Sequence, residues 1–223
     1  MSIWSRIVEA LSSLVSGQGL TEVFDRFRTR PERSVAFTIA VIALGAKMAK
    51  ADGQVTRDEV SAFRRVFLIP KGEEEAAARV FNLARQDVAG FDAYARKIAA
   101  MFPGEREVLI DLMEGLFHIS MADGAFHQGE EEFLAEVATI FGLDGRCFAG
   151  LRARHVPGDP YAVLGVDPGA PLEEVRRAWA RAVRDSHPDG MIARGVPPEA
   201  VKLAEDRLRA INAAWEDIQK RAA

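Results

Sequence analysis

Hydrophobic residues recur every three or four positions along most of the chain, and short polar breaks that contain Gly or Pro separate these runs. This spacing is typical of amphipathic helices, and no run of residues alternates in the manner of a β-strand. Helices are predicted over residues 34–51, 56–68, 73–88, 91–101, 105–121, 129–141 and 145–154. The pattern therefore predicts an all-α protein.

The N-terminus predicts one more amphipathic helix, because the apolar side chains between Ile3 and Val15 fall on a single face. Two interpretations remain open. The face packs on the protein core or on a partner, or residues 3–15 make peripheral contact with a membrane surface. The uncharged stretch at residues 34–46 is shorter than the roughly 20 apolar residues that a membrane-spanning helix needs, so we expect a buried helix there.

The composition is typical of a folded protein, with 48% hydrophobic and 28% charged residues. The net charge of −4 gives the chain no overall attraction for nucleic acid, so we expect no nucleic-acid partner. The single cysteine, Cys147, excludes an intramolecular disulfide and a CxxC zinc site. This cysteine usage is typical of a protein of a reducing compartment.

A short segment of the sequence occurs twice. Residues 50–55 read Lys-Ala-Asp-Gly-Gln-Val, and residues 121–126 read Met-Ala-Asp-Gly-Ala-Phe. Each copy follows an apolar helix and precedes an acidic helix start, and its Gly is expected to end the first helix in the left-handed conformation. The repeat predicts two helical hairpins that are related by a pseudo-twofold axis.

These residues resemble the TerB-like domain, and the resemblance covers about residues 37–151. It implies a helical bundle, and members of that family have been suspected of binding metal through acidic positions. The matching positions here are Asp52, Glu59, Asp123 and Glu130, with His118 and His127 as further candidates. Carboxylates at such turns are more often helix caps, and the sequence does not gather about six oxygen ligands in one loop. We therefore assign no metal and no cofactor.

A Pro- and Gly-rich segment, residues 155–160, predicts a linker. The expected organisation is an N-terminal helix and linker (1–20), a helical bundle (21–154), the linker (155–160) and a small domain (161–223). In the small domain, two amphipathic helices joined by an exposed loop predict an antiparallel hairpin. Trp179 and Trp215 are expected to supply much of its buried apolar surface.

The first long helix of the small domain carries four arginines and no acidic residue between positions 176 and 184, a local charge of +4. Pro188 ends the helical pattern, because the residue before a proline avoids the helical region. The small domain resembles the J domain of DnaJ-type co-chaperones through Tyr161, Leu164-Gly165-Val166, the basic helix, His187-Pro188-Asp189 and Ile211-Asn212-Ala213-Ala214. Residues 190–197 and the preceding TerB-like region make the chain similar to the DjlA subfamily of these proteins.

The resemblance implies that the partner is a DnaK-type heat-shock chaperone whose ATP hydrolysis the J domain stimulates. The implied partner-binding residues are Arg176, Arg177, Arg181, Arg184, His187, Pro188 and Asp189. Arginine forks bind carboxylates, and Asp189 can accept hydrogen bonds from a partner arginine. The sequence has no P-loop and no nucleophile–base pair, so we expect no enzymatic activity.

Two functional hypotheses remain open. In the first, the chain is a co-chaperone and the TerB-like region serves targeting or regulation. In the second, the chain is a metal- or stress-sensing TerB-type binding module in which the J domain is secondary. DjlA proteins begin with a membrane-spanning segment, for which residues 1–20 are too short and too polar. We expect a cytoplasmic protein, with peripheral attachment to the inner membrane as the alternative, and the sequence predicts no oligomeric state.

Overall fold

The computed structural model describes residues 3–12, 30–51, 67, 69, 71–86, 90–121, 124–156 and 158–222. These residues form helices and no strand, which confirms the prediction of an all-α protein. The helices are α1 (Ile3–Ser12), α2 (Arg30–Ala51), α3 (Glu74–Gln86), α4 (Phe91–Met101), α5 (Arg106–Ser120), α6 (Gln128–Ile140), α7 (Gly145–His155), α8 (Pro160–Leu164), α9 (Leu172–Asp185), α10 (Pro188–Arg194) and α11 (Val201–Ala222). A short 3₁₀ helix, Pro198–Ala200, leads into α11.

The bounds of helices α3 to α7 agree with the predicted segments to within two residues at each end. The predicted helix at 56–68 lies outside the described residues, apart from Phe67, and so does most of the first copy of the repeat. In the second copy, Gly124 has φ of +85°, the left-handed conformation that the motif predicts. The ring of Phe126 stacks on Phe117, with 5.8 Å between the ring centroids. The pseudo-twofold repeat itself stays a prediction.

Helix α2 lies at the centre of the bundle and packs against α1, α3, α4, α5 and α6. Every residue from Val35 to Met48 is buried, as the uncharged stretch predicts. Such a helix is stable only where other elements cover all its faces. The buried polar side chains of Thr38 and Lys47 have partners: the Thr38 hydroxyl donates to the Ser34 carbonyl (2.9 Å), and the Lys47 ammonium lies 5.1 Å from the centroid of the Tyr94 ring.

Helix α5 approaches α2 closely at Gly115. A Cβ atom at this position would lie 3.2 Å from Cγ1 of Val41, which is tighter than an ordinary contact. The missing side chain lets the two helices pack at short range. As a consequence α5 is almost wholly buried, and its acidic residues Asp111 and Glu114 are inside the protein.

Helix α1 packs on this core through Ile3, Trp4 and Ile7, all of which are buried. The Trp4 ring meets Phe67 edge-on, with 6.4 Å between the ring centroids. For residues 3–12 the structure therefore agrees with packing on the core, the first of the two interpretations. Residues 13–15 lie outside the described part of the chain. No described helix is long and apolar enough to cross a membrane.

The C-terminal region has a small hydrophobic cluster of its own, in which α8, α9 and α11 meet. Its buried members are Val163, Leu164, Val175, Ile211, Ala214 and Ile218. Trp179 and Trp215 are only half-buried, but they stack on each other with 5.5 Å between ring centroids. The Trp179 indole N–H donates to the Asn212 amide oxygen (2.9 Å), which ties α9 to α11.

The larger core extends across the predicted linker. Its buried members include Met191, Val196, Ala200, Leu203 and Ala204 from the C-terminal region. Helix α7 ends at His155 and also packs against α8. The domain bounds at 155–160 stay a prediction, but the packing joins the regions on either side of them.

The expectation of an exposed loop between the two long helices of the small domain is wrong in part. Residues 188–194 form α10, and Met191 and Val196 are buried against the larger core. Seven residues are too few to show helical periodicity in a sequence, which is why the helix was not predicted.

We predict that Leu203→Ala lowers the free energy of unfolding by about 2–5 kcal/mol, because it opens a cavity in the core that joins the two regions. Leu172→Ala is the matched control, since the Leu172 side chain is 46% exposed and little burial is lost. Urea unfolding of both variants provides the measurement. A loss at position 203 no larger than that at position 172 would contradict the shared core.

Candidate partner-binding site

The basic face of α9 is open to solvent. Val175 and Ala178 bury the opposite face, and all four predicted arginines are exposed. Arg176 lies 4.0 Å from Glu173, whereas Arg177, Arg181 and Arg184 form no ion pair with any described residue. These three arginines line one shallow groove together with Glu174 and Ala180. The structure thus groups three of the four predicted arginines on a single surface.

The segment His187-Pro188-Asp189 follows directly, where α9 stops and α10 starts. His187 is the N-cap residue of α10, and its Nδ1 accepts a hydrogen bond from the backbone N–H of Asp189 (3.2 Å). Pro188 occupies the first helical position, where its missing N–H costs no hydrogen bond. The His187 and Asp189 side chains are 63% and 88% exposed.

The N-cap contact determines what the His187 ring can do. In a neutral imidazole one nitrogen accepts and the other carries the proton. Because Nδ1 accepts from the Asp189 N–H, the proton of the neutral ring lies on Nε2. The Asp189 carboxylate remains an exposed acceptor beside it. The site therefore offers a donor and an acceptor next to a cationic groove, a set of groups that suits binding of a charged protein surface.

The structure also contains a charged cluster that the sequence did not predict. We use the name "charged cluster" for Asp111, Glu114, Arg154, His155, Arg194 and Arg207. Asp111 accepts hydrogen bonds from Arg194 and from Arg207 (3.0 and 2.8 Å to the nearest nitrogens). Glu114 pairs with Arg154, lies 2.5 Å from Nε2 of His155, and lies 3.0 Å from Nε of Arg207. The cluster joins α5 and α7 to α10 and α11.

Burial and the neighbouring cations act against each other on the two carboxyl groups. Burial disfavours the charged form of Glu114, but Arg154, Arg207 and His155 outweigh it and hold the pKa of Glu114 well below its usual range. At Asp111 burial is the larger effect and raises the pKa, while Arg207 and Arg194 oppose it. The pKa of Arg207 is raised, because Glu114 and Asp111 outweigh its burial, so this arginine stays charged.

His118 borders the charged cluster and also joins the two regions. Its Nε2 lies 3.1 Å from a carboxylate oxygen of Asp206 in α11, and its Nδ1 is buried and has no hydrogen-bond partner among the residues that the structure describes. The His155 ring lies edge-on at 5.8 Å between ring centroids. Burial first, and then the charge of His155 and that of Lys202, lower the pKa of His118, although Asp206 and Glu114 act in the opposite direction.

The structure describes one of the four predicted acidic metal candidates. Asp52, Glu59 and Asp123 lie outside the described residues. The fourth, Glu130, is buried, and its carboxylate accepts from the backbone N–H of His127 (3.0 Å), which is the geometry of a helix cap. Among the residues that the structure describes, no group of three or more His, Cys, Asp or Glu side chains could hold a metal ion.

A sequence signal for the charged cluster does exist. Asp111, Glu114 and His118 are spaced by three and four residues in the apolar pattern of α5, so they share one helix face. Ionisable residues at such spacing within a buried helix indicate partners elsewhere in the chain. The sequence contains nothing that identifies those partners.

Part of the chain matches a known protein family. Residues 38–153, just over half of the chain, match the family described as Tellurite resistance protein TerB. The chain belongs to the TerB family.

Relatives along most of the chain carry the name Co-chaperone protein DjlA. The protein from Photobacterium profundum is 27% identical over 218 residues, covering 85% of this chain and 79% of that protein. The one from Vibrio cholerae is 25% identical over 228 residues, covering 86% and 80%. The one from Escherichia coli (strain K12) is 21% identical over 266 residues, covering 99% and 98%. This chain is thus a DjlA-like protein, and no solved structure gives a significant match to it.

We predict that stability falls between about pH 7.5 and about pH 5.5, a range that spans the ordinary histidine pKa of about 6.5. Because the folded state lowers the pKa of His118, the unfolded chain binds this proton more readily, and acid favours unfolding. His118→Gln keeps a donor for Asp206 and removes the titrating group. Urea unfolding at both pH values should show a smaller pH dependence for this variant. An unchanged dependence would contradict the role of His118.

Proposed function

We propose that this chain is a co-chaperone that binds a DnaK-type heat-shock chaperone through residues 161–223 and stimulates its ATP hydrolysis. The observation that carries the proposal is the exposed His187-Pro188-Asp189 segment, held at the start of α10 beside the arginine groove of α9. The relatives named Co-chaperone protein DjlA support it. The TerB region serves targeting or regulation.

The proposed action is a shift of the partner's conformational equilibrium. The sequence has no P-loop, so the nucleotide chemistry is assigned to the partner. A protein that binds the hydrolysis-competent arrangement of its partner more tightly than the resting one raises the population of that arrangement. Enzymatic activity of this chain is not part of the proposal.

The arginines and the His187-Pro188-Asp189 segment are proposed to have different roles in binding the partner. Arg177, Arg181 and Arg184 attract an acidic surface and speed the encounter, since they form no ion pair with a described residue. The His187 ring then supplies a directed donor from Nε2, and Asp189 accepts a bond from a partner cation. Orientation of His187 by its N-cap hydrogen bond lowers the entropy cost of that contact.

We predict that His187→Gln abolishes stimulation of a DnaK-type ATPase, because glutamine does not present a rigid ring donor at this position. His127→Gln is the matched control, since His127 is likewise the exposed N-cap residue of a helix, α6. Steady-state ATP hydrolysis is the measurement, and circular dichroism checks the fold. Full stimulation by the His187 variant would refute the proposal.

We predict that Arg181→Glu raises the concentration needed for half-maximal stimulation and weakens its dependence on salt, because charge steering is lost. Arg96→Glu changes the net charge equally at an exposed position on α4, and should leave both quantities unchanged. Titrations at low and high salt provide the measurement. Equal effects of the two variants would show that net charge, and not the groove, is responsible.

A further inference from the structure

One short helix connects the proposed partner-binding segment to the TerB region. Helix α10 has His187 as its N-cap residue and Arg194 as its last residue. Its length is seven residues, so at about 1.5 Å per residue its two ends are only about 10 Å apart. A constraint on Arg194 therefore acts on His187 through a short, rigid element.

The Arg194 guanidinium is held from two sides. Its Nε and Nη2 donate to the same carboxylate oxygen of Asp111 (3.2 and 3.0 Å), and Nη2 also donates to the backbone carbonyl of Asp185 (3.2 Å). Asp185 is the last residue of α9. One side chain thus joins the end of α9 to the end of α10, with His187-Pro188-Asp189 between the two points of attachment.

Asp111 is the anchor of this arrangement. Its side chain is completely buried in α5, and its second oxygen accepts from Arg207 of α11 (2.8 Å). A buried carboxylate that loses its partners is strongly destabilised, so Asp111 favours the state in which both arginines are in place. Met191 adds buried apolar contact with the larger core from the middle of α10.

This contact leaves the proposed site open. The His187 and Asp189 side chains are 63% and 88% exposed while α10 is docked on the TerB region. An autoinhibitory contact would cover these groups. The docked arrangement therefore presents the segment to a partner.

We propose that Asp111 is a positioning residue that acts through Arg194 and holds the His187-Pro188-Asp189 segment in the arrangement that engages the partner. This inference rests on the proposed function and adds that the TerB region takes part in activation. Apparent affinity scales with the fraction of molecules in the competent arrangement, so loss of the contact weakens binding without changing the bound state.

The first experiment measures ATPase stimulation by the full chain. Arg194→Met replaces the guanidinium by an apolar side chain of similar length and removes the donors from position 194 to Asp111 and Asp185, while Arg207 still donates to Asp111. We expect the half-maximal concentration to rise by about fivefold or more, the lower end of typical coupling between two sites, with maximal stimulation unchanged. Asp111→Asn should act in the same direction. The double variant should be no weaker than the more affected single variant, because both act through one contact.

Two controls separate positioning from other effects. Arg209→Met makes the same substitution at a 74% exposed arginine of α11 that does not contact Asp111, and it should leave the half-maximal concentration unchanged. Leu134→Ala weakens the bundle at a buried site on α6, and it should lower stability without affecting stimulation. If Leu134→Ala and Arg194→Met raised the half-maximal concentration equally, the effect would follow stability, and the proposal would be wrong.

Amide hydrogen exchange tests the contact without the partner. Exchange of the amides of residues 189–195 should be faster in Arg194→Met and in Asp111→Asn than in the native chain, and unchanged in Arg209→Met. Unchanged exchange in the first two variants would overturn the proposal. If the native chain fails to stimulate the ATPase, the proposed function is wrong, whereas faster exchange in these variants would still support Asp111 as the residue that holds the segment.

Discussion

Two buried carboxylates, Asp111 and Glu114, are the constraint on which the arrangement of the remaining structure depends. Moving an ionised group out of water costs several kcal/mol even after the protein relaxes, and only well-placed partners offset that cost. Here the partners come from α7 on one side and from α10 and α11 on the other. Helix α5 can therefore stay buried with its charges only while the C-terminal region is docked on it. The position of α10 thus depends on the electrostatics of the core, because Arg194 of α10 compensates Asp111.

The distribution of arginines follows from the same constraint. Arg154, Arg194 and Arg207 are used inside the protein to compensate the two carboxylates. The arginines of α9 have a different environment, since they lie on an exposed face of a helix whose other face packs in a separate small cluster. The chain as a whole is slightly acidic, but the arginines of α9 concentrate positive charge next to His187-Pro188-Asp189. A partner that binds at this surface therefore experiences the local positive charge and not the negative net charge of the whole chain.

The parts of the fold that could be predicted from the sequence are those that depend on local periodicity. Helices α3 to α7 each repeat apolar residues at helical spacing, and their ends carry Gly, Pro or a cap, so their bounds were predicted closely. The motif at residues 187–189 was predictable because it is contiguous. Helix α10 was missed because it is short, and the bonds from Arg194 and Arg207 to Asp111 span 83 and 96 residues of sequence. Helical periodicity does not show which charged residues, far apart in the sequence, form ion pairs. These contacts could therefore be identified only from the three-dimensional structure.

The core that joins the two regions also determines what counts as a folding unit. A fragment cut before α8 would leave Met191, Val196 and Leu203 without the surface that buries them, and would separate Arg194 and Arg207 from both carboxylates. The larger piece would in turn retain Asp111 without either of its arginine partners, whereas Glu114 would keep Arg154 and His155 and lose Arg207. Neither piece keeps all the contacts of its core. We therefore expect a proteolytic cut or a mutation in one region to lower the cooperativity of unfolding of the other. If the C-terminal region were joined to another helical bundle, Arg194 and Arg207 would have no carboxylate partners unless the receiving helix carried a matching pair of acids.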